Sequence, residues 1–251
     1  MWFKQRNFIT FLILILLLYF SMRLTEFDLS KFREFRNMID FLQRWFPMDF
    51  TNFPDMIEDS LETLAMAFLG SFLGLIIGLP VSFLAAWNTS PSRLLYHLSR
   101  LTLSFVRSIP EIVFGLILLT ALGLGPFPAV LAIMFHNIGV LGKLISELIE
   151  AADSGPQEAM KAVGAKSGFA FLFSILPQIW PNVLSQYFYR FEVAIRTSLI
   201  LGFIGGGGIG QRLFNDFKTF QYPAVSLDVL IIMIMVIFVD LFGSYIRNKI
   251  I

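Results

Sequence analysis

Apolar residues run in long blocks along this chain. Six blocks contain no Asp, Glu, Lys or Arg: 7–22, 63–92, 112–142, 167–189, 197–211 and 229–239. A helix needs about 20 mainly apolar residues to cross a hydrocarbon core. The blocks predict six membrane helices, at roughly 8–22, 61–87, 109–124, 126–148, 182–204 and 226–247, the block 112–142 being long enough for two. Gly123-Leu124-Gly125-Pro126 divides those two with a tight turn. Two stretches carry a helical period instead. Phe32, Phe35, Ile39, Leu42 and Phe46 form one stripe, interleaved with Arg33, Arg36, Asp40 and Arg44. That pattern predicts an amphipathic helix over 29–46 at a membrane interface. Arg93, Tyr96, His97, Arg100 and Ser104 recur against a Leu-rich face, which predicts a second interfacial helix, with Pro110 opening the next span at its first turn.

Charge sets orientation. With the amino terminus in the cytoplasm, the inner loops collect ten Lys and Arg (Lys4, Arg6, Arg93, Arg100, Arg107, Lys143, Lys161, Lys166, Arg247, Lys249) and the outer segments seven. Residues 23–60 carry eight acids against five bases, which also suits the outside. Both termini are therefore expected inside. Lys4 and Arg6 precede the first helix as in a secretory signal, but no small-x-small cleavage site follows it, so it reads as an uncleaved anchor. The chain divides into 1–60, an anchor helix with its outer amphipathic segment, and 61–251, the main membrane domain.

Composition agrees and excludes other classes. The 251 residues are 56% hydrophobic and 15% charged, against about 25% charged in soluble domains. The fold class is all-α, a polytopic transmembrane bundle. A net charge of +1 offers no bulk attraction to nucleic acid. With no cysteine and only His97 and His136, neither a disulfide framework nor a zinc centre is supported, and no metal ligand set is assigned.

The loop between the fourth and fifth predicted spans carries chemistry of another kind. Ser154 and Pro156 open a short helix, Glu158 sits in its first turn, and Gly164 ends it. Ala159, Ala162 and Val163 are then free to bury against a partner. Glu158-Ala159, Gly164 and Leu176-Pro177 keep the spacing of the coupling signature of ABC importer permeases. That signature reads Glu-Ala-Ala, three residues, Gly, nine residues, Ile-x-Leu-Pro. Met160 replaces its second Ala and Ser174 its Ile, both at packing positions. Residues 60–250 further resemble the phosphonate permease branch. The more specific runs are Tyr189-Arg190-Phe191-Glu192 with Arg196, and His136-Asn137-Ile138-Gly139-Val140-Leu141-Gly142-Lys143. Arg107-Ser108-Ile109-Pro110-Glu111, Gly123-Leu124-Gly125-Pro126-Phe127 and the stretch from Leu201 to Gly210 accompany them, the first and last being shared with methionine-type permeases.

The resemblance implies a type I ABC importer permease fold. It also implies a homodimeric pore in the inner membrane of a prokaryote and two copies of a separate cytoplasmic ATPase. That ATPase would hold ATP and Mg and bind the 150–170 loop. An extracytoplasmic binding protein would deliver a phosphonate or a related phosphorus oxyanion such as phosphite. This chain itself binds no cofactor on that reading. It lacks the G-x-x-x-x-G-K-[ST] pattern throughout. Gly205, Gly206, Gly207, Gly208 and Gly210 satisfy G-x-G-x-x-G but end an apolar span, not a strand, so they read as a turn near the outer gate.

Charges inside spans need a reason. Arg190, Glu192 and Arg196 fall in the fifth predicted span. Glu192 and Arg196 are spaced i,i+4 and can pair, Arg190 could meet Asp240, and Glu111 could pair with Arg107. His136 lies near the midplane of the fourth span, and Lys143 shares its face. Arg190, Arg196 and His136 suit either a path for a doubly charged oxyanion, because arginine binds phosphorus oxygens bidentately, or a buried network fixing helix packing. Two other functions remain in view: a permease for methionine or another small organic solute, and a membrane-embedded lipid-phosphate enzyme. The second lacks the clustered acids and histidines such chemistry uses.

Overall fold

The computed structural model describes residues 5–250 and divides into two units, 1–46 and 47–251. Lys4 lies outside the described residues, as do the side chains of Arg6 and Phe32.

The first unit opens with α1 (Gln5–Leu24), long and apolar enough to span a membrane. The amphipathic stripe at 29–46 does not form one helix. Asp28 accepts the backbone N–H of Ser30 at 2.8 Å and its hydroxyl at 2.6 Å, closing a 3₁₀ turn over Leu29–Glu34. Only then does α2 (Phe35–Gln43) begin, with Phe35, Met38, Ile39 and Leu42 exposed on it.

The second unit is helical among its described residues: α3 (Phe53–Leu84), α4 (Arg93–Ser108), α5 (Glu111–Leu122), α6 (Pro126–Ala151), α7 (Gly155–Ala162), α8 (Ser167–Ala170), α9 (Leu176–Phe203), α10 (Gly208–Lys218) and α11 (Tyr222–Ile250). Helix α3 starts eight residues before the predicted span because its acidic first turns have partners. Asp59 pairs with Arg212, and Glu62 accepts the Gly208 N–H at 2.8 Å.

The centre of the bundle is the α3–α6 pair. Gly70, Gly74 and Gly78 form one stripe of α3 at four-residue spacing, and all are buried. A Cβ added at Gly70 would lie 2.6 Å from Cβ of Ile133, and one at Gly74 2.6 Å from Cβ of Asn137. In lipid, water does not drive helices together, so close backbone approach through small residues takes its place. Helix α9 packs against both, and α10 and α11 complete the side around Met56, Ile195, Leu201, Ile209 and Leu227.

One predicted element is corrected. The helix predicted over 91–107 forms as α4, packed along α6, but 109–124 is not a full span. Helix α4 follows α6 from Glu150, which Arg100 meets at 2.7 Å, to Gly139, against which Arg107 packs. The chain bends by 84° at Ile109-Pro110, and α5 continues to the end of the bundle where the Gly125 N–H donates to the Gly205 carbonyl at 2.9 Å. Twelve residues rise only about 18 Å, so α5 alone is too short to cross. Together α4 and α5 form a bent pair long and apolar enough to cross a membrane. The described residues thus hold five membrane-length helices, or six with this bent pair.

Candidate functional site

Helix α7 and its flanks lie at one end of the second unit. Its C-terminus closes as a Schellman motif: the Gly164 N–H donates to Lys161 O and the Ala165 N–H to Met160 O, each at 3.0 Å, with Gly164 at φ +84°. Ser154 stands at the expected N-terminal position but does not cap through its side chain. Its hydroxyl donates to Glu158 Oε1 at 3.0 Å, and Asp153 Oδ1 instead accepts the Gly155 N–H at 3.1 Å. Gln157 is buried and Met160 half-buried, while Glu158, Ala159, Ala162 and Val163 face outward, Val163 being 81% exposed. Met160 thus faces inward, where its bulk packs without changing the outward face.

Pro177 lacks an N–H for the preceding turn, and the chain widens into a π-helical turn over Phe171–Ile175, where the Leu176 N–H donates to Phe171 O. That turn buries Ser174 and feeds Leu176-Pro177 into α9. Gln178, which the sequence did not single out, ties the loop down. Its Oε1 accepts the Asp153 N–H at 3.2 Å and its Nε2 donates to Ser174 O at 2.8 Å.

The second site lies midway along the helices. His136 is ten residues, about 15 Å, beyond the start of α6, and Arg190 is thirteen residues, about 20 Å, before the end of α9. Arg190, 8% exposed, does not meet Asp240. Its Nε donates to Asn137 Oδ1 at 2.7 Å and its Nη2 to Glu111 Oε1 at 3.1 Å. His136 Nε2 stands 3.4 Å from the same Glu111 oxygen, and its Nδ1 bonds the Ile109 carbonyl at 3.0 Å, in the break between α4 and α5. Glu111 therefore serves these two groups and not Arg107. Four groups from three helices meet at the break between α4 and α5. Sequence spacing could not have found them, because the partners are 53 and 79 residues apart.

Glu192 and Arg196 do not pair either. Glu192, 7% exposed, is paired by Arg247 of α11, and Arg196 is exposed. A buried carboxylate stripped of its cation is costly. Arg247→Ala is therefore expected to lower the melting temperature of the detergent-solubilised protein by several degrees, and Arg247→Ala with Glu192→Gln to recover most of the loss. A double variant no more stable than the single one would show that the pair contributes little. Lys143 pairs with Glu147 at 3.3 Å.

At the far end from α7, the glycine run reverses the chain between α9 and α10. Gly205, Gly207 and Gly208 take positive φ of 98°, 89° and 67°. Gly206 and Gly210 bring backbone against Leu201 and Leu199. The Gly207 N–H donates to Gln211 Oε1 at 2.9 Å and the Ile209 N–H to Thr63 Oγ1 at 3.0 Å. This locks the turn onto α3 and leaves no nucleotide cradle. A polar cavity of about 360 Å³ adjoins it, lined by Asp59, Glu62, Gln211, Arg212 and Asp216 among others. Among the described residues no group of His, Asp and Glu could hold a metal ion.

Comparison with known proteins places this geometry. Residues 78–251 match the family model described as "Binding-protein-dependent transport system inner membrane component". The chain is 37% identical over 202 residues to the phosphite transport system permease protein PtxC of Stutzerimonas stutzeri, covering 80% of this chain and 74% of that protein. It is 31% identical to the putative phosphite transport system permease protein HtxC of the same organism, over 97% and 87%. The probable D-methionine permease MetI of Pasteurella multocida is more distant, at 25% identity. Among solved structures, the inward-facing MetNI methionine ABC transporter matches with a TM-score of 0.67 at 21% identity, over 78% of this chain and 96% of that one. An all-α bundle with that likeness has the type I ABC importer permease fold. The chain belongs to the binding-protein-dependent inner membrane component family, and is a transport permease subunit of an ABC importer and not an enzyme.

Proposed function

We propose that this permease carries a phosphorus oxyanion, phosphite or a phosphonate, across the inner membrane of a prokaryote. The observation that carries the reading is the buried Arg190, held by Asn137 and Glu111 half-way along the bundle with His136 beside the same carboxylate, where an anion crossing the membrane needs a countercharge. Relatives named for phosphite transport at 31–37% identity support the element. Arg196, exposed on α9, is a second cation available to the path.

The energy comes from another chain. Helix α7 is the coupling element, presenting Glu158 and Ala159 outward, with Gly164, Leu176 and Pro177 setting its angle to α9. Two copies of a cytoplasmic ATPase, holding ATP and Mg, dock there on a permease homodimer. That assigns the α7 end to the cytoplasm, and the Lys and Arg balance of the loops assigns both termini to that side. The glycine turn, Gly205 to Gly210, then faces the extracytoplasmic binding protein and forms part of the outer gate.

The substrate class is tested by growth. A strain lacking its own phosphite and phosphonate permeases, given this chain with its ATPase and binding protein, should grow on phosphite or methylphosphonate as sole phosphorus source. Relief of a methionine requirement, with no growth on either compound, would instead favour the organic-solute reading.

A further inference from the structure

Asn137 is fully buried, and its amide has a fixed orientation. Arg190 Nε is a donor and must face Oδ1, which leaves Nδ2 as the other arm of the amide. No described atom accepts a hydrogen bond from that Nδ2. Buried donors are rarely left unused, and an orphan needs a cause.

Three further features gather around the Arg190 guanidinium that Asn137 holds. Glu111 opens α5, so the positive end of a twelve-residue helix lies in the middle of the bundle, and Pro110 brings no side chain to cap it. Arg190 and His136 both turn toward one oxygen of Glu111. The chain at Ile109-Pro110 is broken and bent by 84°, and its free carbonyl is engaged by His136. Broken helices at the midplane hold ions in other transporters because a half-helix N-terminus supplies partial charge where no side chain is needed.

We propose that the Glu111 carboxylate stands in for the cargo. In this conformation it occupies the anion site built by Arg190 and the α5 N-terminus. During transport a tetrahedral phosphorus oxyanion displaces it and takes the Arg190 guanidinium bidentately, with Asn137 Nδ2 as the added donor. Glu111 then sets how tightly the cargo is held. With it in place the site is near neutral between cargoes and releases each one. Without it the site becomes an anion trap. This rests on the phosphorus-oxyanion reading above.

The test is equilibrium binding of radiolabelled phosphite and methylphosphonate to the assembled permease–ATPase complex in nanodiscs, without binding protein. Glu111→Gln should bind at least tenfold tighter than the wild type while its proteoliposome uptake slows several-fold. Damage to packing weakens binding, so tightening is not a structural artefact. Asn137→Asp keeps the shape and the Arg190 contact but replaces the donor with an acceptor, and should bind at least tenfold weaker. Unchanged or weaker binding by Glu111→Gln, in complexes that assemble normally, overturns the proposal. So does wild-type binding by Asn137→Asp. If wild-type complexes take up methionine and no phosphorus oxyanion, it is the substrate reading that fails.

Discussion

Replacing Gly74 with leucine is expected to abolish assembly of the permease. A Cβ at Gly74 already lies 2.6 Å from Asn137 Cβ and 3.3 Å from the Met134 carbonyl oxygen. Neither neighbour is the flexible end of a side chain, so α3 and α6 would have to separate. Overpacking a core typically costs about 1–3 kcal/mol. Here it also removes the close contact on which association in lipid depends. Because Asn137 holds Arg190, the damage reaches the midplane site as well. Fluorescence-detected size exclusion should show little monodisperse protein for Gly74→Leu and a partial loss for Gly74→Ala. Gly168→Ala, which meets nothing within 4 Å, should behave as the wild type. A monodisperse Gly74→Leu protein with normal uptake would refute the close α3–α6 packing.

The second large effect concerns Gly164. Its φ of +84° costs an ordinary L-residue about 1–2 kcal/mol, and asparagine less. No described atom lies within 4 Å of an added Cβ, so the penalty is in the backbone and not in packing. Gly164→Val should undo the Schellman closure and turn α7 away from α9. The membrane bundle should still fold, since α7 contributes little to its interior. Uptake and ATPase stimulation should both be lost. Gly164→Asn should retain most of both. Normal uptake by Gly164→Val would remove α7 from coupling.

Much of this was legible in the chain. Charge-free blocks marked the long helices because lipid admits few charges. Gly164 announced a helix end because few other residues tolerate its conformation. The Glu158-to-Pro177 spacing carried the family. What escaped depended on distance through space. The i,i+4 rule favoured Glu192 with Arg196, but α11 brought Arg247 to Glu192 from 55 residues away. Pro110 marked a helix start correctly, yet nothing in the local pattern said that the start lies in the middle of the bundle. An amphipathic face is the same whether a helix lies on the membrane or packs along a neighbour, and α4 packs along α6. The Gly70, Gly74 and Gly78 stripe was hidden among apolar residues, where only a facing helix gives it meaning.

The most direct measurement is ATP-driven uptake into proteoliposomes holding this permease with its ATPase and binding protein, offered phosphite, methylphosphonate, phosphate and methionine in parallel. The account predicts that phosphite or methylphosphonate accumulates only when ATP is present, and that methionine stays at the ATP-free level. ATP-dependent accumulation of methionine, with none of the phosphorus oxyanions taken up, would contradict it.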